Sequence, residues 1–389
     1  MWPDIAVPLE ALQATGQRAG LLDRRALLSQ VHSKAAAQRR VKKRAAKLHA
    51  PGSLLSSSRC TVAEAARQGI PLSLLSAATV APATQRSYLS RLVALRRWLA
   101  LPQLPTWTAA EWDHALVEFA EECVDVGVHR AVVVQTICAL RWAQPRLPRP
   151  LRAAVPEAMA ALDGWGKLEP GASRPPVPRM LAVLMAKWLS DRHHYMAAFL
   201  LLLLLETYMR PSEGFSLEAF QITAPIAGAA GTLACCSILI RASELGKPGK
   251  TGEFDTSVAL DLPRHRVLEP ALLAAKRFRQ ERQLLTTLDQ QEFGRLFRLA
   301  LSGLGLETLK LTPYCLRHGG ASEDRASRSR TLGEVQKRGG WKSFRSLMQY
   351  EKHARLALLV NQIPLALRKT APQAEQELRL VLPRAFTRR

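Results

Sequence analysis

The sequence predicts a mainly α-helical protein with two domains, a small helical one followed by a larger α-rich one that also contains an antiparallel β-hairpin. Between residues 84 and 168, apolar residues recur every three or four positions, which is the period of a helix that buries one face. The Pro- and Gly-rich stretch 169–178 is typical of a linker. Further on, two runs rich in Ile, Val and Leu flank a turn-forming Gly-Lys-Pro-Gly segment, as in a hairpin.

The length and charge of the chain narrow its functional class. It has 389 residues, more than one compact core usually organises, and its 48% hydrophobic residues are enough to build two cores. Lys and Arg number 55 against 32 Asp and Glu, which gives a formal net charge of +23. Because a cationic surplus of this size attracts polyanions at long range, the charge predicts a polyanionic partner and nothing finer.

Cysteines and apolar runs argue against several other classes. The 6 Cys residues include no Cys-x-x-Cys pair, so we expect no zinc site, no disulfide framework and no bound metal or cofactor. The longest apolar run, 196–205, is about half the length of a membrane span and predicts a buried core helix. The residues after Met1 lack a basic stretch followed by an apolar one, so no signal peptide is expected.

A basic arm is predicted over residues 1–77. Lys and Arg are frequent in residues 21–50, where Asp23 is the only acid, and the alanines between them favour a helix. The Gln-Arg-Arg-Val-Lys-Lys-Arg cluster at 38–44 is typical of a segment that grips phosphates or of a nuclear import signal. A solvated charged helix fits it equally well. We expect the protein to act in the nucleus if its host is eukaryotic and otherwise in the cytoplasm.

The helical domain, predicted over residues 78–168, begins with an amphipathic helix. Its apolar stripe consists of residues spaced four, three and four apart: Tyr88, Leu92, Leu95 and Leu99. Arginines fall between them: Arg86, Arg91, Arg96 and Arg97. These arginines either contact a polyanion or simply solvate this face of the helix.

Three more helices are predicted in this domain. The first starts after Pro105, where Thr108 and Glu111 form the pattern of a capping box. The next covers 131–142 and ends before a Pro-rich stretch, and a shorter one is expected at 156–162.

The larger domain is predicted over residues 179–365, followed by a C-terminal tail at 366–389. The hairpin would consist of strands at 232–241 and 256–262, joined through the turn 246–252.

Three separated motifs lie in the larger domain. They are Arg210-Pro-Ser-Glu213, Tyr314-Cys-Leu-Arg317-His318, and a pair nine residues apart, Trp341 and Tyr350. Each alone is more simply explained as an ion pair or as packing. In this order and spacing, however, they resemble the tyrosine recombinase (phage integrase-like) family, which includes transposon-borne members. The resemblance covers residues 170–360 well and residues 78–165 in layout only.

The resemblance implies a DNA recombinase that cuts and rejoins strands through a 3′-phosphotyrosyl intermediate. Tyr350 would be the nucleophile. Arg210 and Arg317 would hold the two non-bridging phosphate oxygens by charge-assisted hydrogen bonds. Because a phosphotyrosyl linkage keeps the energy of the broken bond, rejoining needs neither ATP nor a metal.

Further roles are implied by position in the motifs. His318 would hydrogen-bond near the scissile phosphate or assist proton transfer, and Trp341 would donate its indole N–H to a phosphate oxygen. The general acid would be a lysine of the hairpin turn, for which Lys250 fits the family's spacing better than Lys247. Lys247 would then contact DNA, although it stays an alternative for the acid.

The sequence departs from the family pattern at two positions. Tyr314 stands where the family has the first His of His-x-x-Arg-His, and a phenol exchanges hydrogen bonds but is a poor base at neutral pH. Tyr208 stands where a small residue usually precedes the first Arg, which leaves the local helix packing open. Glu213 is expected to brace Arg210 rather than to react.

The resemblance also implies the partners. Duplex DNA would be held partly by the arginines of the helical domain, mostly through phosphates. Recombinases of this type act as homo-tetramers on paired sites, and the host element would be a phage, an integrative element or a transposon. Residues after Ala357 would dock either in a neighbouring subunit or, equally, on their own chain. No membrane is expected to be involved.

Three rival functions fit part of the pattern. A catalytically inactive, domesticated DNA-binding protein is compatible with Tyr314. A type IB topoisomerase-like enzyme shares the chemistry but relaxes supercoils as a monomer. A basic RNA-binding protein fits the charge, but the sequence has no recognisable aromatic RNA motif.

Overall fold

A computed structural model of the chain describes residues 62–144, 146–170, 174–246, 254–343, 347–348 and 352–387. The chain divides into two compact units, 1–172 and 173–389. Of the predicted features, the basic cluster at 38–44, both turn lysines (Lys247 and Lys250) and Tyr350 lie outside the described residues.

The first unit is built from helices. They are α1 (Val62–Arg67), α2 (Leu74–Ala78), α3 (Pro82–Trp98), α4 (Ala109–Asp125), α5 (Arg130–Ala143), α6 (Leu151–Ala154) and α7 (Pro156–Leu168). The helices predicted from periodicity are confirmed. Within α3, the stripe residues Leu92 and Leu95 are fully buried. The predicted capping box is also present, because Thr108 Oγ1 accepts from the Glu111 amide at 3.3 Å and Glu111 Oε2 accepts from the Thr108 amide at 2.8 Å.

The predicted basic arm is too long at its C-terminal end. Ala65, Ile70 and Leu72 are buried in the helical core, and the Trp142 indole donates to the Ser76 carbonyl at 2.6 Å. These contacts make the described residues up to 77 part of the helical unit. Sequence periodicity could not reveal this, because α1 and α2 have only 6 and 5 residues, too few to display a helical stripe.

The second unit combines helices with one small sheet. Its helices are α8 (Arg179–Ser190), α9 (Tyr195–Thr207), α10 (Pro211–Phe215), α11 (Glu269–Phe278), α12 (Gln290–Gly303), α13 (Tyr314–Ala326), α14 (Leu332–Gly339), α15 (His353–Gln362) and α16 (Leu365–Val381). Its strands are β1 (Ile222–Thr223), β2 (Ser237–Ile240) and β3 (Thr256–Ala259), antiparallel in the order β1-β2-β3. The predicted fold class, mainly α with a small antiparallel sheet, is confirmed.

The hairpin is shorter than predicted on both sides, because β2 begins only at Ser237 and β3, predicted to reach Leu262, ends at Ala259. Strand β2 begins at Ser237, which faces Ala259, the last residue of β3. The preceding Gly231–Ala234 segment forms a 3₁₀ helix, although Thr232 had been predicted to begin the strand. The apolar composition was misleading because a strand needs a neighbouring strand to bond, and β3 ends opposite Ser237.

Helix α9 forms the centre of the second core. All its residues from Ala197 to Thr207 are buried, as predicted for the apolar run. Helices on all sides bury it, which is why the run shows no polar face. No helix among the described residues is long and apolar enough to cross a membrane.

The C-terminal segment belongs to the core of the second unit and is not the tail that the sequence predicts over residues 366–389. Helix α16 packs along α8, and Leu378, Leu382 and Phe386 are buried. An ion pair between Arg179 and Glu375, at 2.6 Å, ties α8 to α16. The segment therefore docks on its own chain, which is one of the two predicted arrangements.

We expect the docked face of α16 to contribute strongly to stability. Replacing the fully buried Leu378 with Ala should lower the free energy of unfolding by about 3 kcal/mol, because it removes buried methyl groups and leaves a cavity. The matched control is Leu380→Ala in the same helix, where the side chain is 77% exposed and little change is expected. Urea unfolding measures both, and equal losses would contradict the docking of α16.

Candidate active site

Arg210 lies where the central helix α9 ends. Tyr208 terminates α9 in the left-handed conformation, with φ of +54°, and Pro211 then starts α10 with Arg210 as its N-cap. The Arg210 amide donates to Glu213 Oε2 at 2.7 Å and its Nη1 donates to Oε1 at 2.8 Å. The expected bracing of Arg210 by Glu213 is therefore present in the fold.

A second arginine, Arg241, shares the same carboxylate. Directly after β2, its Nε and Nη2 donate to Glu213 Oε1 at 3.0 and 2.9 Å. Burial alone would raise the pKa of Glu213, but the hydrogen bond from the Arg210 amide and the charges of Arg241 and Arg210 lower it. Glu213 thus holds two guanidinium groups side by side. Sequence reasoning missed Arg241, since its only signal was a charged residue at the end of an apolar strand.

Arg317, in the second motif, contacts residues beside the first motif and the Trp341 of the third. It is only 1% exposed on α13, and its guanidinium donates through Nη1 to the carbonyl of Tyr208 and through Nη2 to that of Gly339 at 2.6 Å. The Trp341 ring covers it, with the Arg317 Cζ 4.4 Å from the ring centroid. The contact with Tyr208 joins residues 109 apart in sequence, and Tyr208 precedes Arg210 by two residues.

Two glycines allow α13 to approach this place. A Cβ on Gly319 would collide with the Val177 backbone, and one on Gly320 would collide with the Leu205 carbonyl and the Tyr208 ring. The same absence of a side chain answers the packing question raised by Tyr208. Its ring fits against Gly320, and its hydroxyl donates to the buried Asp324.

His318 is held in an uncharged form. Burial, followed by the charges of Lys352, Arg174 and Arg317, lowers its pKa to about 4. The centroid of the His318 ring lies 5.7 Å from that of the Tyr314 ring. The Arg174 Cζ in turn lies over the Tyr314 ring, 4.5 Å from its centroid. A neutral imidazole can accept a proton or a hydrogen bond at neutral pH, whereas an imidazolium can only donate.

This depressed pKa gives a testable expectation. In the free protein, His318 should titrate near pH 4 in a histidine NMR titration, well below the ordinary value of 6.5. Duplex DNA should raise that pKa, because a phosphate offsets the neighbouring positive charges. The folded pKa lies below the unfolded one, so His318 lowers stability as pH falls from about 6.5 towards 4. A resonance titrating at 6.5 without DNA would contradict this description, and His318→Asn identifies the signal.

A buried ionic cluster adjoins these residues, because the Tyr208 hydroxyl donates to Asp324 of the cluster. Glu206, 2% exposed, accepts from Arg179 at 2.7 Å and from Arg264 at 3.1 Å. Arg264 and Arg330 both pair with Asp324, which is fully buried. The charges of this cluster compensate one another inside the domain. Sequence reasoning did not find it, because its members are scattered singly along the chain.

The predicted arginines of the first unit differ in their surroundings. Arg96 donates to the carbonyls of Leu101 and Pro102 at 3.1 and 2.9 Å, so it closes the C-terminal end of α3. Arg91 donates to the Gln135 side chain at 3.1 Å. Arg97 is exposed and Arg86 half-buried. Of the four, Arg97 is the most accessible to a phosphate, and Arg96 has a structural role.

Metal ligation has no candidate among the residues that the structure describes, since they contain no group of three or more His, Cys, Asp or Glu side chains able to hold a metal ion. The side chains around Arg317 instead provide cations, aromatic rings and a neutral imidazole. Such a set is suited to binding a phosphodiester and stabilising added charge on its oxygens.

Comparisons with known proteins give likenesses of structure. No family model matches the sequence, and no curated protein matches it. A XerH site-specific recombinase bound to palindromic difH substrate, in a post-cleavage complex, is similar with a TM-score of 0.49, 15% identity, and coverage of 84% of this chain and 94% of that chain. A lambda integrase dimer bound to a COC′ core site is similar with a TM-score of 0.44 and 15% identity, covering 72% and 92%.

A third similar structure is a XerA recombinase, with a TM-score of 0.34 and 14% identity over 78% of this chain and 98% of that one. The three likenesses have 14–15% sequence identity. They concern the fold alone.

Proposed function

We propose that the protein is a site-specific DNA recombinase that breaks and rejoins strands through Tyr350. The observation that supports this most is the pair of contacts that Arg317 makes with residues beside or within the other two motifs. Arg317 contacts the carbonyl that precedes Arg210 by two residues and stacks on Trp341. A phosphate clamp of two arginines would need Arg317 near the segment that carries Arg210, and the contact with Tyr208 fits that need.

The proposed reaction is a transfer at phosphorus. The Tyr350 hydroxyl loses its proton and its oxygen bonds to phosphorus, while the bond to the 5′ oxygen of the next nucleotide breaks. Lys250, or Lys247 in its place, would protonate that leaving oxygen. Rejoining is the reverse attack by a 5′ hydroxyl, which frees the tyrosine.

Charge stabilisation would come from the arginines. Arg210 and Arg317 would hold the non-bridging oxygens as they gain negative charge, which is the largest contribution to be expected from a rigid cationic site. Arg241 would keep Arg210 in place through their shared Glu213. His318, uncharged at neutral pH, would accept or relay a proton.

The helical unit would contribute DNA affinity rather than chemistry. We propose that Arg86, Arg91 and Arg97 contact phosphates, because α3 presents them between its apolar stripe residues. Arg96 contributes less, since its guanidinium is occupied at the helix end. Assembly as a homo-tetramer on paired sites is part of the same proposal.

One observation favours a second candidate, a DNA-binding protein that no longer cleaves. Arg317 is buried, with both Nη groups on backbone carbonyls, and Tyr314 replaces a histidine of the family pattern. Such a protein would bind duplex DNA with a steep salt dependence and form no covalent product.

Covalent trapping distinguishes the two candidates. The purified protein is incubated in EDTA with a pool of nicked duplexes from the DNA that borders its own gene, placed so that the released 5′-hydroxyl fragment diffuses away. Protein joined to DNA on a denaturing gel is the expected result. Tight duplex binding without a joined product would favour the non-cleaving relative, and preference for RNA of equal length would contradict both.

A further inference from the structure

Arg338 is a half-buried arginine that belongs to none of the three motifs. It lies at the end of α14, one residue before Gly339. Its Nη1 donates to the carbonyl of Ala259 at the end of β3, and its Nη2 to the carbonyl of Glu206 in the last turn of α9, both at 2.7 Å. One side chain therefore joins α14, β3 and α9.

The two residues whose carbonyls hold Arg317 are both neighbours of Arg338. One belongs to Gly339, the next residue in the chain. The other belongs to Tyr208, whose ring lies under the Arg338 guanidinium at 5.3 Å. Moving Arg338 would therefore displace both acceptors of Arg317 at once.

Stability alone does not explain a charge at this position. Burial, followed by the charge of Arg330, lowers the pKa of Arg338 to about 10, which shows that the surroundings disfavour its positive charge. An apolar side chain of similar length would avoid that cost and is often neutral or stabilising in such places. What it could not supply is two directed hydrogen bonds to carbonyls on separate elements.

We infer that Arg338 is a positioning residue that sets the place of Arg317 for phosphate binding. The inference rests on the role proposed above for Arg317. Its proposed role is carried out through Arg317. It holds the end of α14 against the ends of α9 and β3, so the Gly339 and Tyr208 carbonyls stay at the spacing that the Arg317 guanidinium requires.

Arg179 provides a matched control in the same cluster. It too is largely buried and reaches Glu206, but through the carboxylate, and its other partners are Glu375 and the Arg264 carbonyl. Arg338→Met and Arg179→Met each remove one buried guanidinium beside Glu206. Only the first removes a contact next to the acceptors of Arg317.

The first readout uses the free protein. The Trp341 ring shifts the side-chain N–H resonances of Arg317, which are identified by their loss in Arg317→Lys. These resonances should move or broaden in Arg338→Met and stay in place in Arg179→Met. The second readout is the rate of adduct formation by fully bound complexes, which should fall about 100-fold in Arg338→Met, as for a small misplacement of a catalytic group.

The conservative variant separates positioning from folding. Arg338→Lys can bond one of the two carbonyls, so it should recover part of the rate that Arg338→Met loses. Unmoved Arg317 resonances in folded Arg338→Met, or equal rate losses in the two methionine variants, would overturn the inference. If the wild type forms no adduct, the proposed function fails while the resonances still decide whether Arg338 places Arg317.

Discussion

Replacing Tyr350 with Phe is expected to abolish the covalent protein–DNA product completely. The phenyl ring has the shape of the tyrosine but no oxygen to bond phosphorus, so no slower route through the same residue remains. Duplex affinity should be nearly unchanged, because binding depends on many cationic contacts to phosphates. The measurement is a denaturing gel with the nicked duplexes, beside a binding titration at the same salt concentration.

The matched control is Tyr195→Phe. Tyr195 is the first residue of α9, where its hydroxyl contacts His193 Nδ1 at 2.9 Å and accepts from Arg384 at 3.4 Å, away from the three motifs. This variant should form the product at the wild-type rate. A product that persists in Tyr350→Phe would show that another nucleophile acts and would overturn the proposed assignment.

The second large effect is expected from Glu206. Removing this carboxylate by Glu206→Ala leaves Arg179 and Arg264 without their shared partner inside the domain. Breaking a buried ion pair from one side typically costs about 3–5 kcal/mol, and we expect that loss in urea unfolding at pH 7. Glu292→Ala is the control, because its partner Arg295 is exposed and little change should follow. A loss no larger than in the control would contradict the buried cluster.

Acid should remove part of the stability that the Glu206 carboxylate contributes. Burial alone would raise the pKa of Glu206, but the hydrogen bond from His265 and the charges of Arg179, His265 and Arg264 lower it well below its usual 4.5. Because the folded pKa is the lower one, this stability is fully present above pH 4.5 and is lost as pH falls towards the folded pKa. Glu206→Ala should therefore unfold with a weaker dependence on acid. An unchanged acid dependence would mean that other carboxylates dominate.

The docked helix α16 shows where sequence reasoning reached its limit within the fold. Leu378 and Leu380 are the same residue type, two positions apart in one helix. Leu378 is fully buried, whereas Leu380 is 77% exposed. Which face of the helix is buried depends on α8, whose Arg179 pairs with Glu375. Residues 62–77 were misassigned for a related reason, since short helices acquire their burial from neighbours that the local pattern does not reveal.

The candidate site was predictable to the extent that it consists of motifs. Arg210, Arg317, His318 and Trp341 could be selected because their order and spacing are written in the chain. Arg241 and Arg338 could not, because each is an isolated arginine. Their relevance comes from the Glu213 carboxylate that Arg241 shares and from the carbonyls that Arg338 holds.

Local sequence was sufficient for the mainly helical fold, the buried run of α9, the capping box at Thr108 and the identity of the motif residues, because periodicity and spacing encode them. Tertiary structure alone revealed which groups meet: Arg317 with the Tyr208 and Gly339 carbonyls, Gly320 with the Tyr208 ring, and α16 with α8. The physical reason is that such contacts join residues far apart in the chain. Their geometry depends on how whole helices pack, which no short stretch of sequence specifies.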